Sequence, residues 1–159
     1  KNGVSNKLYN LNYNIKNNAL ESAISKDSVF QYDIDKIDYV LNANNKFKFF
    51  DDETMKGLFL EVVNSDKIKV YKGYKIFIEE GSFNPLTQEK MQNDSYKQSF
   101  SFYFFTNGKY EKVKLNKSTV LNYLNDKKDV VKDFVTKFDL SYTQDKDIKS
   151  IFNYYLSLN

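Results

Sequence analysis

The chain contains no cysteine, histidine, tryptophan or arginine, and it has a single proline. Without cysteine and histidine there is no disulfide, no thiol nucleophile, no structural zinc site of the usual kind and no Ser/His/Asp triad. Catalysis is left to carboxylate, lysine, tyrosine and Ser/Thr side chains. We therefore predict no catalytic residue, no metal site and no cofactor, and we expect that the protein is not an enzyme.

The excess of positive charge is small. The 24 basic residues, all lysine, stand against 21 acidic ones and give a net charge of +3. Nucleic-acid binders usually have a basic face and use arginine for bidentate contacts to bases and phosphates, whereas these lysines are spread along the chain. The sequence therefore predicts no nucleic-acid partner. No apolar run approaches the length of a transmembrane segment, so none is predicted.

Apolar and polar residues alternate from Leu8 to Leu115, which is typical of half-buried β-strands. Strands are predicted around Tyr9 to Ile15 and at 19–24, 28–32, 37–41 and 46–50. In residues 57–80, turn signals at Asn64–Asp66 and at Gly73 predict three further strands. These strands together favour an antiparallel β-meander or a partly open barrel.

The run "SFSFYFFTNGKYEKVKL" predicts a hairpin, because Asn107-Gly108 favours a two-residue type I′ turn that pairs Thr106 with Lys109. One face of this hairpin is predicted to enter a core: Phe100, Phe102, Phe104, Val113 and Leu115. The other face carries the residues of a candidate partner surface: Tyr103, Phe105, Tyr110 and Lys112. A solvated sheet face, with lysine stems lying over tyrosine rings, is the alternative interpretation.

Residues 81–98 contain the only proline and show no periodicity, which predicts a long loop of mobile or functional character. After Leu115 the hydrophobic period becomes helical. A short helix capped by Asn116 or Ser118 is predicted first, then an apolar stripe of Val130, Val131, Phe134, Val135 and Phe138. The last helix is predicted to begin with a cap at Thr143 or Asp145 and to carry the stripe Ile148, Ile151, Phe152, Tyr155 and Leu156.

The expected architecture is α+β, with a β-rich part at 8–115 and a unit of about three helices at 116–158. At 159 residues the chain fits one domain, so a single domain over 1–159 is predicted. Two short motifs carry little chemistry. Lys72–Ile78 departs from the RNA-recognition signature at Lys75 and Ile76, and "DIDKID" at 33–38 lacks the glycine and glutamate of a calcium loop.

Carboxylate pairs occur at Asp51–Glu53 and at Glu79-Glu80. Glycoside hydrolases use two such groups, and a carboxylate-dependent hydrolase is the third function that we consider. Exposed acids on strands and turns are the simpler interpretation of all these positions.

The order of several segments carries a resemblance. They are "YNIKNNALESAISKDSVFQYDIDKIDYVLNANNKFKFF", then "GLFLEVVNSDKIKVYKGYKIFI", the aromatic hairpin, and "VLNYLNDKKDVVKDFVTKFDLSYTQDKDIKSIFNYYLSL". Over most of 8–159 the chain resembles a group of exported Bacteroidota proteins of unknown function. The resemblance implies removal of a signal peptide before Lys1 and a periplasmic or cell-envelope location. "DSV" at 27–29 also looks like the acceptor of Bacteroidota O-glycosylation, which makes Ser28 a candidate site, and a turn residue entering a strand is the alternative.

The sequence thus favours a non-catalytic exported protein that binds another protein, as an accessory subunit of a cell-envelope or outer-membrane complex. The alternative is a domain that binds a small molecule, a peptide or a glycan in a pocket of the sheet, covered by loop 81–98.

Overall fold

A computed structural model describes residues 3–158, so the start at Lys1 lies outside the described part. Nine strands and three α-helices are found within that range. The strands are β1 Leu11–Asn14, β2 Ala19–Ser25, β3 Ser28–Gln31, β4 Tyr39–Asn42, β5 Asn45–Asp51, β6 Lys56–Asn64, β7 Lys69–Glu79, β8 Ser95–Thr106 and β9 Lys109–Val113. The helices are α1 Lys117–Tyr123, α2 Lys128–Lys137 and α3 Asp145–Ser157.

The predicted α+β meander followed by three helices is confirmed. The strands form two antiparallel sheets, one of order β1-β2-β3 and one of order β4-β5-β6-β7-β8-β9. The larger sheet has β4 and β9 as its edges and does not close. A 3₁₀ turn at Ile34–Lys36 separates the two sheets along the chain, and the Asp33 carboxylate accepts a hydrogen bond from the Asp35 amide there, at 3.2 Å.

The prediction of three strands after residue 56 is wrong, because β6 and β7 account for the whole segment. Gly73 lies inside β7 instead of at a turn. The ring of Phe59 lies against the α carbon of Gly73, so that a side chain at this position would collide with the ring. Glycine is thus required here by a close approach and not by a change of chain direction.

The structure divides into two compact units. Unit 1 comprises Lys1–Leu60 and Gly73–Phe100, and unit 2 comprises Glu61–Lys72 and Ser101–Asn159. Strands β6, β7 and β8 each contribute residues to both units. The prediction of a single domain over 1–159 stays a prediction.

Unit 2 has a core in which strands and helices share one apolar cluster. Its strand residues are Val63, Ile68, Val70, Phe102 and Phe104. Its helical residues are Val120, Leu121, Leu124, Val131, Val135, Ile148, Ile151, Phe152 and Tyr155. The helical spacing of the second set places these residues on one side of each helix, and burial of that side stabilises the helices more than propensity does.

The predicted N-cap is confirmed for α1 but not for α3. Asn116 caps α1 as predicted, and its side chain accepts a hydrogen bond from the Thr119 amide at 2.9 Å. The caps predicted for α3 are wrong, because Gln144 is the N-cap and its side chain makes no capping bond. Asp145 lies in the first turn and pairs instead with the amine of Lys72, a buried lysine of β7.

The hairpin register is confirmed: Thr106 pairs with Lys109 and Phe102 with Val113. Asn107 and Gly108 have φ angles of 52° and 83°, which a type I′ turn requires. Phe102 and Phe104 are buried, but the predicted burial of Phe100 is wrong, since this side chain is 53% exposed. The pairing of β8 with β9 ends at Phe102, so β9 does not extend alongside Phe100.

Two tyrosines of unit 2 provide a matched test of buried hydroxyl groups. Among the described residues the buried Tyr142 hydroxyl has no hydrogen-bond partner, whereas the Tyr155 hydroxyl donates to Asp126 at 2.9 Å. Burial raises the pKa of both phenols. We expect Tyr142→Phe to leave the free energy of unfolding unchanged or to raise it by up to about 1 kcal/mol, and Tyr155→Phe to lower it by about 1–2 kcal/mol. Urea denaturation measures both, and equal losses would contradict the assignment.

Candidate functional site

Exposed apolar side chains are frequent in unit 1, and three consecutive ones lie in the second half of β7. Ile76, Phe77 and Ile78 are 39%, 49% and 56% exposed, whereas Val70 and Tyr71 at the beginning of the strand are buried. Successive strand residues point to opposite faces of a sheet, so Ile76 and Ile78 lie on one face and Phe77 on the other. This part of β7 therefore exposes apolar surface on both faces, although antiparallel sheets usually cover one.

β7 leads into a loop that ends earlier than predicted: β8 begins at Ser95, so only 81–94 of the predicted loop 81–98 lie outside the strands. Its own hydrogen bonds organise it. The Met91 amide donates to the backbone carbonyl of Ser82 at 2.8 Å, and the Asn84 amide donates to the backbone carbonyl of Glu89 at 2.9 Å. The Asn84 side chain in turn accepts from the Leu86 amide at 2.9 Å. We call this segment the tip loop.

The base of the tip loop is closed by Asp94. Its carboxylate accepts hydrogen bonds from the Gly81 amide at 2.9 Å and from the Lys90 amine at 3.0 Å, and these bonds lower the pKa of Asp94. The carbonyl of Gln92 lies against the α carbon of Gly81, where any side chain would collide with it. Glycine at 81 therefore permits the close approach of the two ends of the loop.

The tip loop presents three apolar side chains to solvent: Phe83, Leu86 and Met91. Their exposed fractions are 55%, 92% and 67%. We call these three residues the tip patch. Single exposed apolar residues are common on proteins, but several on one hydrogen-bonded loop are typical of an interaction site.

Unit 1 also contains an open groove with a volume of about 460 Å³. It is lined by one residue of β1, by residues of the β1–β2 turn, by the beginning of β6, by residues 74–78 of β7 and by one residue of β8. Three lysines and three tyrosines supply most of its polar groups: Lys16, Lys56, Lys75, Tyr13, Tyr74 and Tyr96. None of the described residues that line it is acidic, and none belongs to the tip loop. We call it the lysine groove.

The wall of the lysine groove depends on Tyr13. Its hydroxyl accepts a hydrogen bond from the Leu58 amide at 3.0 Å and donates one to the Asn18 side chain, and burial raises its pKa. Gly57, with a φ of +117°, lies directly beneath this pair. A β carbon on Gly57 would stand 2.7 Å from both the Tyr13 hydroxyl and the Asn18 oxygen.

Two of the groove lysines have neighbours in the structure. The Lys16 amine lies 3.5 Å from the Tyr96 hydroxyl and 5.5 Å from the centre of its ring. The Lys56 amine lies 3.4 Å from the Asp51 carboxylate, and both side chains are mostly exposed. Such an exposed pair contributes about 0–1 kcal/mol, so it exchanges readily with other ions.

No protein-family model, curated protein or solved structure matches the chain significantly. The resemblance to exported Bacteroidota proteins, and the envelope location it implies, therefore stay predictions. Within residues 3–158, no helix combines the length and apolar character needed to cross a lipid bilayer.

Most side chains of the partner surface predicted on the hairpin are covered by other residues of unit 2. Tyr103 is only 3% exposed, so its predicted place on an accessible surface needs correction. Phe105 and Tyr110 are half-buried and contact each other, with ring centres 5.0 Å apart. Lys112 alone of the four is exposed.

Residues of β7 explain this burial. The Lys69 amine lies 4.9 Å from the centre of the Phe105 ring, and the Tyr71 ring meets Tyr110 edge-on at 5.6 Å. The Tyr71 hydroxyl donates to Glu61 at 3.3 Å, and burial together with this carboxylate raises its pKa. The sequence alone does not give the strand order β7-β8-β9, which places these side chains beside the hairpin.

Ser28, the candidate glycosylation site, is the first residue of β3 and is exposed. It lies opposite Ser25 on the edge strand of the three-stranded sheet, just after the turn at 26–27. Ser28 is a residue that enters a strand after a turn, and it is also accessible to a modifying enzyme, so the position is compatible with both interpretations. Its glycosylation stays a prediction.

The carboxylates of the third hypothesis lie in exposed ion pairs. Asp51 pairs with Lys56, and Glu79 pairs with Lys97 at 3.3 Å, with 59% of the Glu79 side chain exposed. In the part of the chain that the structure describes, no three acidic side chains are grouped so as to hold a metal ion. The hydrolase therefore gains no support from the arrangement of these groups.

Proposed function

We propose that the protein is a non-catalytic exported protein that binds another protein through the tip patch, as an accessory subunit of a cell-envelope complex. The single observation that supports this is a loop, organised by its own hydrogen bonds, that exposes Phe83, Leu86 and Met91. The exported location rests on the resemblance of the sequence.

The energetic argument follows from the cost of apolar hydration. Covering apolar surface gives about 25 cal/mol per Å², and aromatic and flexible thioether side chains are common at the centres of protein interfaces. A loop that is already ordered loses little conformational entropy when it binds. The tip patch therefore offers exposed apolar side chains on a loop that is already organised, and both features favour binding of a protein partner.

The test compares two variants with the wild-type chain in pull-downs from the envelope fraction of the source cells. The tip variant carries Phe83→Ser, Leu86→Ser and Met91→Gln. The control variant carries Val130→Ser and Phe138→Ser, which remove apolar residues of α2 and its end that are 45% and 56% exposed. Circular dichroism and thermal unfolding establish that both variants fold.

We expect wild type and control to recover one protein in near-stoichiometric amount, and the tip variant to recover at least tenfold less. The reason is that loss of a central apolar anchor costs about 2 kcal/mol or more, and about 1.4 kcal/mol corresponds to tenfold in affinity. Full recovery by the tip variant, or no stoichiometric protein with wild type, would overturn the proposal.

The lysine groove supports a second candidate function, which is binding of a small molecule, peptide or glycan. Its volume of about 460 Å³ lies within the usual range for ligand sites. The expected cover by loop 81–98 is not part of this candidate, because the tip loop contributes no lining residue among those described.

A further inference from the structure

We propose that the lysine groove binds an extended, carboxylate-bearing segment of the partner protein. The inference rests on the proposed function, since it assigns a chemistry to the segment of the partner that lies beside the tip patch. The proposed ligand is a peptide whose acidic side chains alternate with apolar ones.

The charge of the groove carries the first step. Lys16, Lys56 and Lys75 are all exposed and line the same open groove, and no described lining residue is acidic. Among the described residues Asp51 is the carboxylate that pairs with one of these amines, and its pair with Lys56 is open to water. Three ammonium groups in one concave surface create a positive potential that attracts anions. Carboxylates are the complementary groups on proteins.

The shape of the groove carries the second step. β7 supplies five consecutive lining residues, 74–78, so one wall follows a strand. β7 lies between β6 and β8 in the sheet, so a peptide in the groove contacts its side chains and not its backbone, and the side chains of an extended peptide alternate between two faces. Ile76, Phe77 and Ile78 all line the groove, so apolar side chains from both faces of the strand border it. A peptide with acidic and apolar residues in alternation can meet both the lysines and this apolar wall.

The apolar wall also distinguishes a peptide from a small anion. Ile76, Phe77 and Ile78 line the groove and are substantially exposed. Inorganic phosphate or a sugar acid would pair with the lysines but would leave that apolar surface in water. The alternating peptide covers it, which adds about 25 cal/mol for each Å² removed from solvent.

Continuity with the tip loop carries the third step. β7 ends at Glu79 and the chain enters the tip loop two residues later, so the groove wall and the tip patch belong to one continuous segment. We therefore expect one partner to contact both the tip patch and the groove.

The experiment titrates the full chain with a blocked octapeptide that alternates glutamate and valine, and follows binding by calorimetry and amide chemical shifts. The control peptide has glutamine in place of glutamate. The groove variant carries Lys16→Gln, Lys56→Gln and Lys75→Gln. The control variant carries Lys128→Gln, Lys132→Gln and Lys149→Gln, which are exposed lysines of α2 and α3, so both variants lose the same charge.

We expect the glutamate peptide to bind wild type and the control variant at least tenfold more tightly than the groove variant. The glutamine peptide should bind wild type at least tenfold more weakly. The affinity should fall as salt rises from about 0.05 to about 0.5 M, because the screening length shortens over that range. Shifts in the amides of 74–78 locate the site.

Two outcomes overturn the inference. Equal binding of the glutamate peptide by both lysine variants places the contact outside the groove, and equally tight binding of sodium glucuronate or inorganic phosphate makes the groove a small-anion site. The tip variant keeps every groove residue, so it separates the two proposals. Full recovery of the partner by the tip variant, together with peptide binding in the groove, would remove the proposed function alone. Absent peptide binding with a tip-dependent pull-down would remove the groove inference alone.

Discussion

Phe152→Ala is expected to lower the free energy of unfolding of unit 2 by about 3–5 kcal/mol, which is the usual cost of deleting a buried aromatic ring. Phe152 is fully buried on α3, and its ring meets Phe104 of β8 edge-on at 5.7 Å. The Tyr123 ring lies 6.2 Å away in the same orientation. The substitution removes the ring that joins strand and helix residues in one cluster, and edge-to-face pairs add to the loss.

Phe138→Ala is the matched control for this substitution. Phe138 is also a phenylalanine of the helical part, but it is 56% exposed and its ring contacts only Phe134, at 4.9 Å, among the rings described. We expect its loss to cost less than about 1 kcal/mol. Urea denaturation followed by circular dichroism measures the difference, and hydrogen exchange assigns it to unit 2. Similar losses for the two variants would contradict the shared core of strands and helices.

The parts of the fold that follow from local rules could be predicted from the sequence. The change from a period of two to a helical period near residue 116 correctly separated strands from helices. Asn107-Gly108 correctly gave the hairpin register, because a two-residue turn with positive φ fixes which residues face each other. Both signals act within a few residues, where backbone sterics decide the outcome.

Burial on the hairpin could not be predicted in the same way, because it depends on which strands are neighbours. Tyr103 and Phe100 exchanged their expected environments: the first is buried and the second exposed. Alternation shows that two faces differ but does not show what covers each face. The boundary between units 1 and 2 falls after Lys72 in β7 and after Phe100 in β8. In each strand it separates a mostly exposed part from a mostly buried part, and no local sequence motif marks it.

The candidate site combines a signal that was present in the sequence with one that was absent. The run Ile76-Phe77-Ile78 breaks the alternation of the preceding strands, and such a run predicts apolar side chains on both faces. The lysine groove has no comparable signal, since it joins residues from the β1–β2 turn, from β6 and from β7. Their meeting depends on the contact of Tyr13 with the Leu58 amide, which is 45 residues distant in sequence.

Gly57→Ala is expected to lower the free energy of unfolding by about 2–4 kcal/mol and to open the lysine groove. The backbone at Gly57 has a φ of +117°, and a residue with a β carbon is strained there by about 1–3 kcal/mol. The new methyl group would also displace the Tyr13 hydroxyl and the Asn18 oxygen, each 2.7 Å from its position. Loss of the hydrogen bond from the Leu58 amide to Tyr13 adds about 1 kcal/mol.

Gly108→Ala separates backbone strain from this collision. Gly108 also has a positive φ, +83°, but a β carbon there would meet no atom within 4 Å. We expect this control to lose about 1–2 kcal/mol, by strain alone, and to leave unit 1 unchanged. Urea denaturation gives the two losses, and hydrogen exchange at the Leu58 amide reports the groove wall, with faster exchange expected in Gly57→Ala only. If the two variants lost equal stability and the Leu58 amide stayed protected in both, Tyr13 would not hold the groove wall against β6, because the contact that distinguishes the two glycines would have no energetic consequence.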